Sequence, residues 1–454
     1  MNAPPLKLTL APLSGPPAKP PRPVSRVVIV GAGFAGVAAA RALRNAPAEV
    51  VLLDRRNHQI FQPLLYQVAT AVLAPADVAA PIRQLTATQR NLRVEMAEVT
   101  AIDMAARSLA LSTPDGRASA IDFDFLVLAT GVRPSYFGHD GFATHAPGLK
   151  TLADAEAIRS KILRAYELAE LTDDAEERAR LMTFILVGGG PTGVELAASI
   201  AQMAKVTLRR DFRRIRPEDT RVILVEAGPQ ILPSFEEALA FAARRQLQRL
   251  GVQVETGAPV EQVDAEGVVV ASSGRIPAAT VIWTAGVASS PLAAMVGAEV
   301  DRAGRVRVGP RLNVPNDSRV FVAGDSASLT QDGRPVPGVA QAALQQGGYV
   351  GALIAEDVQG RVPPPPFHYR DKGAMAVVGK NFALLQSPSF KMAGLLSWCV
   401  WAFIHIAFLP RLQNRLRVNV QWLWSYFTAQ RSSRLITDAG DERPTAASPI
   451  HSIT

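Results

Sequence analysis

Short apolar runs and alanine-rich helical stretches alternate along the chain, and two of the apolar runs lead straight into glycine loops. Residues 26–30, Arg-Val-Val-Ile-Val, read as a strand buried on both faces, because an unbroken β-branched run leaves no side for water. Gly31-Ala-Gly-Phe-Ala-Gly36 follows, then a helix predicted over 37–43 and a second apolar run, 49–54, that ends on Asp54. The same order recurs in the apolar run 182–187, Gly188-Gly-Gly-Pro-Thr-Gly193, a helix predicted over 194–203 and a strand over 221–226 that ends on Glu226. Strand, loop, helix and strand in this sequence predict two parallel α/β units. Between the second helix and its strand, residues 205–220 read as a basic, solvated helix extension.

The loops carry a chemistry. Glycines allow a tight turn and close approach to a pyrophosphate, whose charge then rests on the positive end of the following helix. Gly31, Gly33, Phe34 and Gly36 form one such cradle, and Gly188, Gly190, Pro191, Thr192 and Gly193 form another. One cradle holds one dinucleotide, so two imply two. Asp54 lies 18 residues beyond Gly36, with Arg55 beside it, where a carboxylate accepts hydrogen bonds from an adenosine ribose. Glu226 takes the same place in the second unit. Its charge would repel the extra phosphate of NADPH, so the second dinucleotide reads as NADH.

Composition then narrows the choices. The 454 residues are 48% apolar, enough for two to four packed domains. Cys399 is the only cysteine, which excludes an intramolecular disulfide, a multi-cysteine metal cluster and a redox-active cysteine pair. A formal charge of +8 suits nucleic acid or an acidic membrane, but no nucleic-acid module stands out. Residues 1–24 contain eight prolines and no apolar run of signal-peptide length, so this tail, like 437–454, is expected to be disordered. The prolines at 363–366 suggest an extended linker.

The C-terminal part has its own pattern. Residues 392–409 carry no formal charge, which reaches the lower length limit of a membrane span, yet they include Ser397 and His405 and run into Pro410 and Arg411. Leu416, Val420, Leu423 and Phe427 then recur at helical spacing beside Trp422, Trp424 and Tyr426, with Arg411, Arg415, Arg417, Arg431 and Arg434 around them. Aromatic rings and arginines on an amphipathic helix suit the headgroup layer. The expectation is two helices lying on a bilayer, with a true span and a buried subunit interface as the alternatives.

Further strand-ending motifs, Phe125 to Gly131, Ile282 to Gly286 and Val320 to Asp325, make the chain resemble the two-dinucleotide-binding-domain flavoproteins of the pyridine nucleotide-disulfide reductase superfamily. Within it, the chain is most similar to the type II NADH:quinone oxidoreductases, over about 24–436. The resemblance rests on Asn57 to Thr70, Gly190 to Glu195, Ala340 to Gly347, Tyr369 to Ala376 and the tryptophan-rich tail. It implies an α/β fold of two Rossmann-like domains, the NADH-binding one (151–287) inserted into an FAD-binding one (25–150 and 288–370), with a membrane-docking region over 371–436. It implies that Ala129, Thr130, Gly131, Gly324 and Asp325 close the FAD site, and that Ala285 and Gly286 belong to the NADH site. Glu195, Gln341, Gln345 and Lys372 are the polar residues it implies around quinone and flavin. Gln341 and Gln345, four apart, would share a helix face. His58 and residues 61–66 are expected to line or pack rather than react.

The activity so implied is FAD-dependent oxidation of NADH with electrons passed to a membrane quinone, without proton pumping, at the cytoplasmic face of the cell membrane, with a homodimer left open. Rivals differ in their needs. Disulfide reductases and sulfide:quinone oxidoreductases rely on cysteine pairs that this chain lacks. A ferredoxin or rubredoxin reductase has no use for the tryptophan-rich tail, and a flavin-bearing redox sensor would oxidise NADH only slowly.

Overall fold

The computed structural model describes residues 24–437. Its largest sheet has six strands, in the order Asn313–Val314, Asp317–Val322, Phe125–Leu128, Ser25–Val30, Ala48–Asp54 and Leu92–Met96. Alternate residues of Ser25–Val30 enter different cores: Val27 and Ile29 pack on one face, Val28 and Val30 on the other. That is why residues 27–30 include no polar position. A second, all-parallel sheet has the order Val252–Thr256, Arg221–Glu226, Thr183–Val187 and Thr280–Trp283. Both are right for a doubly wound α/β domain, with each glycine loop leaving the carboxyl end of a central strand.

The chain leaves the first sheet after Phe125–Leu128, builds the second, and returns as Asp317–Val322 beside the strand it left. Where it crosses, Val132–Pro134 pairs antiparallel with Val287–Ser289.

Both cradle helices begin earlier than the apolar pattern predicts, at Phe34–Ala42 and Pro191–Gln202 instead of 37 and 194. The reason is local. Gly33 and Gly190 are the extended N-cap residues, so the last glycine of each loop already lies in the first helical turn. The helix Ala340–Asp357 crosses Phe34–Ala42 at very short range. A Cβ on Gly347 would stand 2.0 Å from the Ala35 carbonyl oxygen, and one on Gly351 would stand 2.4 Å from that of Ala39. Glycines four apart thus bring the start of this helix against the first cradle.

Residues 205–220 are only in part the solvated helix extension expected from their charge. Met203–Thr207 is a π-helical turn that continues the second cradle helix, and Leu208, Ile215 and Pro217 are buried. Glu170 fastens the segment by accepting from the backbone N–H groups of Arg213, Arg214 and Ile215.

The apolar stretch 392–409 divides. Its first residues belong to the strand Lys391–Gly394, paired with Ala383–Gln386, and only Leu395–Phe408 is helical. Fourteen residues at 1.5 Å each span about 21 Å, short of the roughly 30 Å hydrocarbon core. Among the described residues no helix is long and apolar enough to cross a membrane. Leu412–Thr428 follows, held to the body by the Asn414 amide, which donates to the carbonyls of Ala76 and Asp77 at 2.9 and 2.8 Å. The expected tails, 1–24 apart from its last residue and 438–454, lie outside the described residues.

Candidate functional site

The two cradles are constrained alike. The first glycine of each has a left-handed φ, +100° at Gly31 and +110° at Gly188. A Cβ on Gly31 would meet the Ala129 carbonyl oxygen at 2.4 Å, and one on Gly188 would meet the Ala285 nitrogen at 2.6 Å. Third-glycine substitutions would strike the loop itself: a Cβ on Gly36 lies 1.8 Å from the Gly31 oxygen, and one on Gly193 lies 2.0 Å from the Gly188 oxygen. The middle glycines, Gly33 and Gly190, have nothing within 4 Å. Packing therefore dictates the outer glycines, and open space at the helix start is left where a phosphate would sit.

The strand-end acids also match. Asp54 accepts from the backbone N–H of Ala32 at 2.7 Å and of Arg56 at 2.8 Å. Glu226 accepts from Gly189 at 2.5 Å and Gly228 at 2.7 Å. Each carboxylate grips the residue after the first glycine and keeps lone pairs for a ribose.

A cavity of about 600 Å³ opens on the first cradle, lined by Gly31, Gly33, Phe34, Asp54, Arg55, Ala129, Thr130, Gly131, Gly324 and Asp325. It fits FAD by more than shape. Arg56 Nη1 and His58 Nε2, both in lining residues, are buried without a hydrogen-bond partner, as expected of groups that await a polar ligand. Gln62 and Pro63 line it as well, whereas Leu64 and Leu65 are core.

Lys150 lines this cavity too and escaped the sequence reading, because a single lysine after Gly148-Leu149 has no pattern around it. Burial lowers its pKa, and nearby Asp325 opposes the shift. For Asp325 burial raises the pKa, with Lys150 and then Arg305 opposing. Each thus offsets part of the other's desolvation inside the cavity.

The remaining candidates separate. Glu195, in the first turns of the second cradle helix, lines a different cavity of about 350 Å³, together with Tyr66, Gln67, Ser199, Val377, Trp398, Trp401, Trp422 and Arg431. Glu195 is half-buried in the cavity wall, and burial lifts its pKa from 4.5 to about 8. The backbone N–H of Val377, at 3.4 Å, opposes the shift only weakly. A helix N-terminus favours an ionised carboxylate, and at Glu195 desolvation overrules it.

Gln341 and Gln345 share a helix face, as expected, but their amides are engaged elsewhere. Gln341 donates to the Gly373 carbonyl at 2.8 Å and accepts from Lys372 N–H at 3.1 Å. Gln345 exchanges both bonds with the backbone of Arg370, each at 3.0 Å. The pair clamps residues 370–373 as a neighbouring strand would. Lys372 itself is exposed and lines neither cavity. The structure does not bring these three together with Glu195.

Two aromatic links join the flavin-side cradle to the C-terminal helices. Phe34 meets Phe61 edge-on at 5.9 Å, and Phe61 meets His405 at 6.2 Å. His405 then packs on Trp401 at 4.5 Å, and Trp401 stacks on Trp422 at 5.3 Å. Burial takes the His405 pKa to about 4, so its imidazole is neutral, and its Nδ1 faces the Trp401 carbonyl oxygen at 2.7 Å, the donor's position.

Residues 25–347 match the pyridine nucleotide-disulphide oxidoreductase family. The chain is 40% identical over 439 residues to the type II NADH:quinone oxidoreductase Ndh of Mycobacterium tuberculosis, covering 94% of each. It is 41% identical to NdhA of the same organism, over 91% of this chain and 89% of that one. Among solved structures, NDH2 of Plasmodium falciparum in complex with NADH superposes with a TM-score of 0.82 at 19% identity, over 91% of this chain and all of the other. The sulfide:quinone oxidoreductase of Aquifex aeolicus matches with a TM-score of 0.67 at 17% identity, over 88% of this chain and 95% of that one. With its duplicated cradles and this degree of identity, the chain belongs to the pyridine nucleotide-disulphide oxidoreductase family and, within it, to the type II NADH:quinone oxidoreductases.

Proposed function

We propose that the protein oxidises NADH with the help of FAD held at the first cradle and passes the electrons to a membrane quinone, without pumping protons. The observation that carries this reading is the pair of equivalent cradles, one opening on a cavity with unpartnered polar groups, beside a second, aromatic cavity under the C-terminal helices. When bound, FAD supplies a group that takes two electrons together from NADH and can release them to a quinone.

The chain's own residues do the rest. Asp54 and Glu226 hold the loops in shape and offer oxygens to the two riboses. Gly33 and Gly190 leave room for phosphates at the helix starts. Glu195, neutral at pH 7, keeps a proton at its carboxyl inside the second cavity, where a reduced quinone needs one. Gln341 and Gln345 hold residues 370–373 against the helix Ala340–Asp357.

Docking to lipid belongs to the same reading. Leu395, Leu396, Phe403, Leu416, Val420, Leu423 and Phe427 are exposed on the two C-terminal helices, with Arg417 exposed between them. We read this face as lying on the cytoplasmic side of the cell membrane and leading quinone into the cavity beneath. A second copy of the chain is the competing occupant; sedimentation of lipid-free protein as a dimer through this face would favour it. Arg431 is a correction to the expected headgroup cluster, since it is 7% exposed. Arg434 pairs with Asp211, and Arg411 donates to Gln84 at 2.6 Å.

The deciding assay measures NADH oxidation by the purified yellow protein, with NADH or NADPH, and with or without a short-chain quinone. Fast turnover only with NADH and quinone is expected. Slow bleaching that quinone does not accelerate would favour a redox sensor instead, and rapid turnover only with a soluble redox protein would favour a soluble-acceptor reductase.

A further inference from the structure

Arg431 is a buried cation that the reading above does not use. The helix Leu412–Thr428 ends at Ala429, whose left-handed φ of 61° turns the chain back beneath the helix. Arg431 then enters the body. Its Nη1 donates to the Thr70 carbonyl at 2.7 Å and to Ser199 Oγ at 3.4 Å, and its Nη2 donates to the Ser199 carbonyl at 3.0 Å. These bonds use three of the five N–H donors of a guanidinium. Its charged and ionisable neighbours are Tyr66, Tyr166 and Arg434, and none of them is a carboxylate.

An enclosed guanidinium without an anion is costly, and neutral residues could fasten the same segment with less desolvation. Among the described residues no carboxylate accepts from Arg431, and two of its N–H donors are left over. Arg431 lines the cavity of about 350 Å³ that also holds Tyr66, Gln67 and Glu195 and has three tryptophans in its walls. Such a cavity takes a flat apolar ring that bears a carbonyl oxygen.

A second polar group is set beside it. Trp422 Nε1 donates to Gln67 Oε1 at 2.7 Å, which fixes the amide so that Gln67 Nε2 donates to the Tyr66 hydroxyl at 2.9 Å. Because Tyr66 accepts in that bond, its own proton is left to give. Its phenol is buried and stays protonated, with a pKa well above 10.

We propose that Arg431 anchors the quinone head in this cavity, donating together with Tyr66 to one carbonyl oxygen, and so determines acceptor affinity. This rests on the quinone-reducing function proposed above. Tyr66 is oriented by Gln67 and Trp422, which makes those two positioning residues. The C-terminal segment thereby contributes to the substrate site as well as to docking.

The test uses full-length, FAD-loaded protein with Arg431→Lys, Arg431→Met and Trp422→Phe. KM for a short-chain ubiquinone and KM for NADH are measured separately, and quinone affinity without NADH is read from quenching of tryptophan fluorescence in the two Arg431 variants. Loss of a charge-assisted hydrogen bond should raise the quinone KM and the quenching constant by about tenfold in Arg431→Lys and further in Arg431→Met. Trp422→Phe should raise the quinone KM by about threefold, and KM for NADH should stay within about twofold throughout. Quinone constants that stay within about twofold in Arg431→Met would overturn the proposal, as would equal rises for both substrates alongside a lowered melting temperature. Should the Met variant fail to fold, Arg431→Lys decides by the same criteria. Wild-type protein that does not reduce quinone would instead sink the function on which the proposal stands.

Discussion

Glu195→Gln removes an ionisable group while keeping the shape of the side chain, and the structure specifies how the loss should depend on pH. Lifting a carboxyl from 4.5 to about 8 corresponds to roughly 5 kcal/mol of preference for its neutral form. The folded pKa lies above the unfolded one, so the stability this group contributes is fully present below about pH 4.5 and is lost as pH rises through about 8. Between about pH 5 and pH 9 the wild type should therefore lose about 4 kcal/mol that the variant does not, about 1.4 kcal/mol of it above pH 7. Thermal melts of both proteins across this range give the difference directly. A parallel reading comes from infrared difference spectra, where the protonated-carboxyl band should vanish near pH 8 in the wild type and be absent in Glu195→Gln. Quinone reduction should follow, with a high-pH limb near 8 that the variant lacks. A wild-type-minus-variant stability gap that is flat from pH 5 to 9 would show that Glu195 is ionised at neutrality, and the proton-donor role would go with it.

Alanine at the four tested cradle glycines should separate two kinds of failure. Gly36→Ala and Gly193→Ala, which strike loop oxygens at 1.8 and 2.0 Å, should lower stability by about 2 kcal/mol or more, whereas Gly33→Ala and Gly190→Ala should leave the apoprotein melting unchanged and weaken only FAD or NADH binding; equal destabilisation at all four would remove the argument from packing. Glu226→Gln keeps the side chain's size but leaves one acceptor oxygen for the two backbone N–H groups of Gly189 and Gly228 and removes the charge, so the NADH over NADPH ratio of kcat/KM should fall, and an unchanged ratio would take Glu226 out of cofactor selection. Leu416→Glu with Phe427→Glu alters side chains that are 60% and 80% exposed, so melting should stay within about 0.5 kcal/mol while binding to anionic vesicles drops by about 2 kcal/mol per site. Retained sedimentation with vesicles would move the docking face elsewhere.

How far each element could be read from the chain follows from the range of the force involved. The cradles were legible because every constraint on them is local: tight turn, helix start and strand-end acid fall within one short α/β unit, and both copies fold as the pattern of glycines and β-branched runs requires. The resemblance carried the order of the two domains on similar grounds. Helix starts were misplaced by three residues because the first turn of each helix ends on the last glycine of its cradle and so reads as loop.

Other features depend on what lies opposite in space. Residues 392–409 are uniformly apolar, yet Ala383–Gln386 draws Lys391–Gly394 into a strand, and no local signal records that pairing. Arg431 reads as one more cation near a membrane helix until the turn at Ala429 buries it against Ser199 and Thr70. Gln341 and Gln345 announce a shared face, but only the fold shows the backbone that claims their amides. Glu195 lies near a helix start, which by itself favours charge; the enclosing cavity, assembled from parts of the chain far apart in sequence, makes it neutral. Local backbone chemistry was thus written in the sequence, while burial, and with it the protonation and partners of the polar groups, was decided by the tertiary structure, because desolvation depends on every neighbour at once.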